Sequence, residues 1–384
     1  MDTPVRIGVI GIGGRGRIAK HWKRDDGLSA VVGGADITDR YLDEFRQFHG
    51  DDVFFTEDYR ELIARDDIDA IAVTSPDFTH EEYAVAALEA GKHVFCEKPL
   101  AITIEGCDRI LEAWRASGKK LMVGFNMRYM RMFNVMKRVA DEGVIGDIKA
   151  VWVRHFVGQG GNFYYHDWHA TRENATSLLL QKGSHDIDMI HWLTGQYTRR
   201  VVGMGSLDFF GGDKRNDLVC TECDEIETCP DPYAVETRQQ CAFREEVDVE
   251  DHEMLLLDLE GGIKAAYLQC QYTPDYKRNY TLIGTKGRME CDALVGDMKV
   301  LLRKGNDPHF FADRTYHVKP SEGGHGGADP VIADDFVQML VSEKEPVATP
   351  LAGRMSVAVG VKGAESVRGG SMPQEIPEPP VWAR

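Results

Sequence analysis

The sequence predicts an α/β protein of two domains, because of its length and of two contrasting patterns. Its 384 residues exceed what one hydrophobic core usually organises. Residues 1–125 alternate apolar runs with helical patterns, which predicts a parallel sheet with helices between its strands. Residues 126–384 carry longer strand-like runs joined by glycine-containing turns, which predicts a mostly antiparallel sheet with a few helices on one face, an α+β arrangement.

In the first domain, five apolar runs predict buried strands. They cover residues 5–13, 28–36, 69–76, 92–99 and 119–125. Between the third and fourth runs, residues 80–91 have a helical pattern that ends in a glycine, the residue favoured just after a helix. Strands that alternate with such helices form right-handed βαβ units, which build a doubly wound parallel sheet.

In the second domain, four stretches predict strands: residues 148–157, 200–210, 251–273 and 278–291. Gly261 and Gly262 predict a hairpin turn inside the third stretch. Residues 329–340 and 356–370 are predicted as helices, and we expect the second of them to pack back on the first domain. The proline-rich tail after Met372 is expected on the surface.

Composition excludes several classes of partner. The net charge of −17 disfavours nucleic acid and anionic membranes, because both repel an acidic surface. No apolar run approaches the roughly 18 residues that a membrane helix needs. The first residues lack the basic and apolar regions of a signal peptide, so we expect a cytoplasmic protein. In a reducing compartment its eight cysteines are not expected to form a disulfide framework.

The stretch "GIGGRG" follows the first predicted strand and predicts a dinucleotide site on a Rossmann domain. Gly11, Gly13 and Gly16 have the G-x-G-x-x-G spacing that allows a tight turn, close approach of a pyrophosphate and close helix packing. Gly14 and Arg15 lie in the same loop. Asp36 ends the second predicted strand, where a carboxylate binds ribose hydroxyls and favours NAD over NADP, although Arg40 nearby weakens that preference. The alternative is a glycine-rich turn in an unrelated α/β fold.

Five stretches in order, "GIGGRG", "TSPDFTH", "AALEAGKHVFCEKPLA", "GFNMRY" and "GSHDIDMIHWLTG", resemble the Gfo/Idh/MocA oxidoreductases over nearly the whole chain. The "AGKHVFCEKP" part is the most specific element. The resemblance implies an N-terminal Rossmann domain and a C-terminal domain with an open, mostly antiparallel sheet. That sheet commonly forms an oligomer interface in the family, which implies a homodimer or homotetramer.

The resemblance also implies roles for residues of the first domain. Ser75, Pro76 and His80 are expected along the cofactor, and Glu97 and Lys98 match the family's E-K-P element. In that family the lysine reaches the nicotinamide and the reacting hydroxyl. Its ammonium can stabilise the negative charge that develops as the hydroxyl proton leaves. The alternative is a surface lysine that pairs with Glu97.

The stretch "QKGSHDID" contains the candidate proton carrier, His185. Ser184 is predicted to cap a helix, which places His185 in the first turn, where the helix dipole disfavours the imidazolium. From these residues alone His185 is better explained as a residue of the helix turn without a chemical role. The family pattern D-x-G-x-H-x-x-D, however, aligns with His185 and Asp188.

Gln181 stands where that pattern has its first Asp. Glutamine can orient a neighbour by hydrogen bonding but carries no charge. Either Lys182 or Asp186 therefore takes over a role, or the proton chemistry differs from that of simple alcohol oxidation.

The segment 155–173 predicts a carbohydrate-binding loop because aromatic rings stack on sugar faces while polar side chains bind hydroxyls. Its candidates are Tyr165, Trp168, His169 and Arg172, to which we add Asp186 as a substrate residue. The alternative is an ordinary loop between a strand and a helix.

Four cysteines, Cys220, Cys223, Cys229 and Cys241, cluster in a segment that reads as an insertion near residues 212–245. Together they could complete a structural zinc site. Against zinc, the last two cysteines do not form a second C-x-x-C pair, so free thiols in a loop are the alternative.

The leading hypothesis is an NAD-dependent oxidoreductase that oxidises a ring hydroxyl of a sugar, polyol or glycoside, with Lys98 and His185 handling the proton. The first alternative is an NAD-dependent glycosidase that works by transient C3 oxidation, elimination and re-reduction. The second is a regulatory protein that senses a nucleotide or sugar, against which the presence of both Lys98 and His185 argues.

Overall fold

The computed structural model describes residues 4–158, 163–233, 239–305, 310–319, 321–342 and 344–383. The chain forms two units. The first contains Met1–Arg131, Pro320–Val357 and Glu378–Arg384, and the second contains Met132–Lys319 and Ala358–Pro377. The first unit thus includes residues near 320–357, which the sequence analysis assigned to the second domain.

The first unit is built on a six-stranded parallel sheet. Its strands are β1 (Val5–Ile10), β2 (Ser29–Ala35), β3 (Phe54–Thr56), β4 (Ala70–Val73), β5 (His93–Cys96) and β6 (Leu121–Val123), in the order β3-β2-β1-β4-β5-β6. The five predicted strands are confirmed. Strand β3 was not predicted, because the short apolar run at residues 53–55 is set among polar and acidic residues. This strand order is that of a doubly wound dinucleotide-binding sheet, in which ligands bind beyond the carboxyl ends of the strands.

The helices of the chain are α1 (Leu42–His49), α2 (Tyr59–Ile63), α3 (His80–Glu89), α4 (Ile104–Ser117), α5 (Arg131–Asp141), α6 (Arg172–Ala175), α7 (Leu178–Gln181), α8 (Gly183–Thr194), α9 (Gly324–Ser342) and α10 (Pro350–Arg368). A 3-10 helix, Gly14–Trp22, follows β1. As predicted, Gly91 follows α3 with a φ of 75°, a left-handed conformation that favours glycine. Helix α10 overlaps the predicted helix 356–370 but begins at Pro350 and ends at Arg368, and its residues from Ala358 onward belong to the second unit.

The second unit is built on a nine-stranded sheet. Its strands are β7 (Ile148–Gly158), β8 (Thr198–Ser206), β9 (His252–Leu259), β10 (Lys264–Thr273), β11 (Lys277–Gly284), β12 (Gly287–Asp292), β13 (Asp297–Leu302), β14 (Arg314–His317) and β15 (Gln374–Glu375). The order is β14-β13-β12-β11-β7-β10-β9-β8-β15. Strands β7 and β10 pair in parallel and the other described pairs are antiparallel. The predicted hairpin turn is confirmed, since Gly261 and Gly262 have φ values of 65° and 78° between β9 and β10.

Each unit has its own packed interior. In the first, Trp22, Phe95 and Phe336 pack ring against ring, and the Trp22 indole N–H donates to the Ala333 carbonyl at 3.2 Å, which holds α9 on the sheet. In the second, alternate residues of the strands face the helices. Phe133 of α5 packs on Tyr280 of β11 with ring centres 5.0 Å apart. One face of the nine-stranded sheet is therefore covered by helices.

Candidate functional site

The glycine loop after β1 forms a cradle that admits no side chains at three positions. A Cβ atom at Gly11 would lie 2.7 Å from the Ser75 backbone, and one at Gly16 would lie 2.1 Å from the Gly11 carbonyl oxygen. A Cβ at Gly13 would lie 2.3 Å from the Tyr41 ring. The 3-10 helix begins directly after Gly13. Bare backbone at the start of a helix is what a pyrophosphate group requires, so these residues fit a dinucleotide.

Asp36 follows β2 and is held by that loop. Its Oδ2 atom accepts a hydrogen bond from the Ile12 N–H at 3.0 Å. Burial raises the pKa of this carboxyl group above its usual value, while the backbone N–H of Ile12 and its neighbours oppose the rise. Arg40 is exposed, with its guanidinium 5.8 Å from the centre of the Tyr41 ring. The carboxylate is therefore fixed at the edge of the cradle, whereas Arg40 extends from its surface.

His80 is buried between two backbone carbonyl groups. Its Nδ1 atom is 2.7 Å from the Pro99 oxygen and its Nε2 atom is 2.9 Å from the Ser75 oxygen. Burial lowers the pKa of His80, so its neutral ring donates to one of these oxygens at a time. His80 therefore joins the Ser75–Pro76 turn to the residue after Lys98, and its place along the cofactor stays a prediction.

Glu97 is held by an arginine of the glycine loop. The Arg15 Nε atom is 2.5 Å from Glu97 Oε1, and Arg15 Nη1 is 2.9 Å from Asp329 Oδ1. The backbone N–H of Lys98 donates to Glu97 Oε2 at 3.2 Å. Asp329 comes from α9, more than 200 residues beyond Glu97 in the chain, so sequence reasoning did not find it. The ion pairs fix the loop to the strand end that carries Lys98.

Helix α8 starts two residues earlier than predicted. Lys182 occupies the cap position, and the Ser184 hydroxyl donates back to the Gln181 carbonyl at 3.4 Å. The prediction that Ser184 caps the helix is therefore wrong, because the preceding helix α7, capped by Ser177, runs almost directly into α8. His185 nevertheless lies in the first turn, as predicted, and is buried.

Asp186 is a buried anion surrounded by donors from three strands. Arg278 donates to it through Nε at 2.9 Å and Nη2 at 2.8 Å. His155 Nδ1 lies 2.9 Å away, Tyr267 donates at 3.1 Å, and the Tyr280 hydroxyl donates as well. Burial alone would raise the pKa of Asp186, but the Arg278 guanidinium and the His155 ring hold it well below its usual range. We call Asp186 and these four partners the Asp186 cluster.

The Asp186 cluster also shifts the protonation of its neighbours. Burial and the nearby Arg278 charge lower the pKa of His155 to about 4, so its ring is neutral and donates its Nδ1 proton to Asp186. Burial and Arg278 lower the pKa of Lys182 to about 8, with Asp186 opposing the shift. The Lys182 ammonium also lies 5.3 Å from the centre of the Tyr164 ring. Lys182 can therefore exchange a proton near neutral pH.

Sequence reasoning did not find His155, Tyr267, Arg278 and Tyr280 as site residues. They come from β7, β10 and β11, and only the strand register brings them together. The available signal was the alternation of polar residues at inward positions of β10, where Gln269 and Gln271 follow Tyr267.

Tyr165 differs from the other candidates of the predicted carbohydrate loop, because it lies in the core. Tyr165 is fully buried, donates to the Glu250 carbonyl at 2.8 Å and stacks on Phe210, so its assignment to the substrate is corrected to a core residue. Arg172 pairs with Glu250 at 3.1 Å. His169 stacks on Trp168, with ring centres 3.6 Å apart. Residues 159–162 of this segment lie outside the described residues.

The hydrogen bonds described for Asp186 come from protein side chains of the Asp186 cluster. They support a positioning role for Asp186 rather than direct contact with a substrate. Gln181 is buried at the end of α7, one residue before Lys182.

Comparison with known proteins decides the family. Residues 5–125 match the model of the oxidoreductase family with an NAD-binding Rossmann fold, and residues 133–290 match the model of the Gfo/Idh/MocA C-terminal domain. The chain belongs to the Gfo/Idh/MocA oxidoreductase family. The predicted fold class and the NAD-binding Rossmann domain are thereby confirmed.

Similar proteins span the chain to different extents. YteT of Bacillus subtilis, named as an oxidoreductase, is 27% identical over 80% of this chain and 81% of its own length. An inositol 2-dehydrogenase of Klebsiella pneumoniae is 36% identical over 204 residues, which cover 51% of this chain and 56% of that relative. This chain thus spans about half the length of the inositol 2-dehydrogenases it matches.

Among solved structures, a levoglucosan dehydrogenase in complex with NADH and levoglucosan aligns with a TM-score of 0.79 and 21% identity, over 98% of this chain and 100% of that one. An oxidoreductase domain protein of Kribbella flavida aligns with a TM-score of 0.80 and the same identity over the same shares. At this identity the two structures show that the fold is shared.

No described helix is long and apolar enough to cross a membrane. Within the described part of the chain, no group of three or more His, Cys, Asp or Glu side chains is arranged to hold a metal ion.

Proposed function

We propose that this protein is an NAD-dependent dehydrogenase that oxidises a ring hydroxyl of a sugar, polyol or glycoside. The glycine cradle beside Asp36 carries the proposal, because its bare backbone fits a pyrophosphate and its carboxylate fits ribose hydroxyls. The substrate class follows the names of the inositol 2-dehydrogenase relatives and of the levoglucosan dehydrogenase.

Gly11, Gly13, Gly14 and Gly16 would hold the pyrophosphate, and Asp36 the adenosine ribose. When bound, NAD accepts a hydride from the substrate carbon. Arg15 sits in the same loop as a half-buried cation that its ion pairs hold in place. Removal of a hydride from a carbon that bears a hydroxyl leaves one proton, which this chain's own residues must take up.

Lys98 and His185 are the proposed carriers of that proton. Lys98 directly follows Glu97 at the carboxyl end of β5, and the Glu97 carboxylate accepts the Lys98 backbone N–H, which fixes where the side chain begins. His185 lies in the first turn of α8, where the helix dipole disfavours a positive ring and keeps it ready to accept a proton. The proton then passes to solvent.

The neighbours of His185 have supporting roles in this proposal. Asp186, locked by Arg278 and its other partners, fixes the first turn of α8 and is therefore a positioning residue. Gln181 can orient a neighbour but not balance a charge. Lys182, with a pKa of about 8, supplies a group that can lose its proton at slightly alkaline pH.

The lowered pKa of Lys182 supports a second candidate, an NAD-dependent glycosidase. Oxidation at C3 of a glycoside would acidify the C2–H, a base would remove that proton, and the anomeric group would leave. Water addition and return of the hydride to C3 would complete a cycle without net NADH. Lys182 is the residue whose lowered pKa suits this additional base.

We also propose that a second copy of this chain covers the open face of the nine-stranded sheet. Five apolar side chains on this sheet are between 45 and 64% exposed: Trp152, Met204, Met254, Leu256 and Ile283. They alternate with residues that face the helices, so they share the face away from the helices. An exposed apolar surface of this extent is typical of a protein interface.

A cytoplasmic location stays a prediction.

A substrate panel tests the enzyme proposals. The purified protein is incubated with NAD and with free sugars, inositols and nitrophenyl glycosides, while NADH absorbance and nitrophenol release are recorded together. NADH formed in proportion to oxidised product supports the dehydrogenase. Nitrophenol release without NADH supports the glycosidase. NAD binding without turnover of any member would contradict both.

A further inference from the structure

The segment between β8 and β9 carries four cysteines on two arms of chain that meet side by side. Val219 pairs with Gln240 in an antiparallel bridge. The Cys220 N–H donates to the Gln239 carbonyl at 2.7 Å, and the Cys241 N–H donates to the Leu218 carbonyl at 2.9 Å. The arms thus place Cys220 and Cys241 next to each other although 21 positions separate them in the chain.

The other two cysteines face the same point. Cys220, Cys223, Cys229 and Cys241 all line one small cavity, which His166 and Asp231 also border. The chain turns tightly after Cys220, since the Cys223 N–H donates to the Cys220 carbonyl at 3.3 Å. Both residues of the C-x-x-C pair therefore reach the cavity. All four thiols are free.

Backbone donors point at two of the sulfur atoms. The Tyr233 N–H bonds to Cys220 and the Asp231 N–H bonds to Cys229. A divalent cation in the cavity would neutralise thiolates that otherwise repel one another.

His166, beside the four cysteines, is already hydrogen-bonded to protein groups. Its Nδ1 atom is 2.5 Å from the Gln240 carbonyl, and its Nε2 atom is 3.3 Å from Asp231 Oδ2. The ring therefore ties the two arms together beside Cys220, whose sulfur lies 3.7 Å from Nδ1. With His166 occupied, the donor set is four cysteines, which is a common set for structural zinc.

We propose that Cys220, Cys223, Cys229 and Cys241 bind one structural zinc ion that joins the two arms of this segment. In the described residues the sulfurs are not yet arranged as a metal-binding group, so binding draws them inward by side-chain rotation. Most side chains from Thr221 to Pro230 are exposed, so the segment has little apolar interior of its own and zinc would provide its main cross-link. This inference does not rest on the proposed dehydrogenase activity.

Metal analysis tests the proposal. The protein is purified under reducing conditions without chelator, and zinc is measured by elemental mass spectrometry. We expect about one zinc ion per chain. Cys223→Ser and Cys229→Ser should each lose most of it, whereas Cys270→Ser, at a half-buried cysteine outside the cavity, should keep it. Circular dichroism and NAD binding of each variant show whether it folds.

Cobalt gives an independent result. We expect cobalt added to the zinc-free protein to produce the charge-transfer and ligand-field absorption of tetrahedral thiolate coordination, and Cys223→Ser to weaken it. Zinc content no higher than in a variant lacking all four cysteines, together with no cobalt–thiolate absorption, would overturn the proposal. Disulfides among the four cysteines in the protein isolated without oxidant would overturn it as well.

Discussion

The carboxylate of Asp186 faces the guanidinium of Arg278 through two hydrogen bonds of 2.9 and 2.8 Å in the interior of the second unit. Asp186 belongs to the first turn of α8 and Arg278 to β11, so the pair joins the helix that carries His185 to the sheet. A buried ion pair of this kind adds little net stability, but removal of one partner leaves the other charge without compensation.

Asp186→Asn should lower the free energy of unfolding by about 3–5 kcal/mol, because Arg278 would remain buried without its counter-charge. Urea unfolding followed by circular dichroism measures the change. Glu365→Gln removes a carboxylate that pairs with Lys362 on the exposed side of α10 and serves as the control, with a change below about 1 kcal/mol. Equal losses in the two variants would contradict the role assigned to the Asp186 cluster.

Activity should rise with pH along a limb whose midpoint lies near pH 8 if Lys182 acts as a base. Burial and Arg278 hold the pKa of Lys182 at about 8, below its usual value, so the side chain loses its proton as pH rises through that value. Lys182→Met should remove this limb from the profile of kcat/KM. Lys264→Met, at an exposed lysine of the sheet, should leave the profile unchanged. An unaltered limb in Lys182→Met would show that another group controls it.

Gly13→Ala should weaken NAD binding at least tenfold while the fold is kept. The added Cβ would lie 2.3 Å from the Tyr41 ring, so either the ring or the loop must shift. Isothermal titration calorimetry with NAD measures the effect. At the control position Gly143, a left-handed turn in the second unit, a Cβ meets no described atom within 4 Å. Gly143→Ala should therefore bind NAD as the wild type does, although its backbone is strained. Unchanged affinity in Gly13→Ala would exclude this loop as the pyrophosphate site.

Asp36→Ser should reduce the preference for NAD over NADP by roughly tenfold or more, since hydrogen bonds to a charged carboxylate contribute about 1.5–3 kcal/mol each. The ratio of the two dissociation constants, measured on the same protein preparation, is the readout. Asp39→Ser removes an exposed carboxylate three residues further along and should not alter the ratio. If the ratio stays constant in Asp36→Ser, Asp36 does not face the adenosine ribose.

Leu256→Asp should dissociate the proposed oligomer, because a carboxylate in the centre of an apolar interface is buried without a partner. Leu256 is the most exposed of the five apolar side chains on that face. Light scattering coupled to size-exclusion chromatography gives the mass. The matched variant Val381→Asp, at an exposed apolar residue of the first unit, should keep the mass of the wild type. A monomeric wild type would contradict the proposed interface.

Local patterns were enough to predict most of the fold. Apolar runs marked five of the six strands of the first sheet, and the glycines at 261 and 262 marked a hairpin. The pattern around Ser184 was misleading. A serine before a helical pattern predicts an N-cap, but here the short helix α7 already runs into α8, so Ser184 lies inside the helix.

The candidate site could be predicted only where its residues lie in one continuous motif. The glycine loop, Lys98 and His185 were proposed in that way, and their roles stay predictions. The partners of Asp186 were missed because strand register, not sequence spacing, brings β7, β10 and β11 together. Tyr165 was assigned to the substrate because local composition does not distinguish an aromatic residue in a ligand loop from one stacked on Phe210 in the core.

The central claim is that a hydride passes from a hydroxyl-bearing carbon of the substrate to NAD. The most direct measurement uses a substrate from the panel that carries deuterium on its hydroxyl-bearing ring carbons, with mass spectrometry of the recovered cofactor. The account predicts NADH that contains one deuterium atom for each product molecule oxidised. Oxidised product accompanied by deuterium-free NADH, or deuterium that stays in the product while the cofactor is unchanged, would contradict it.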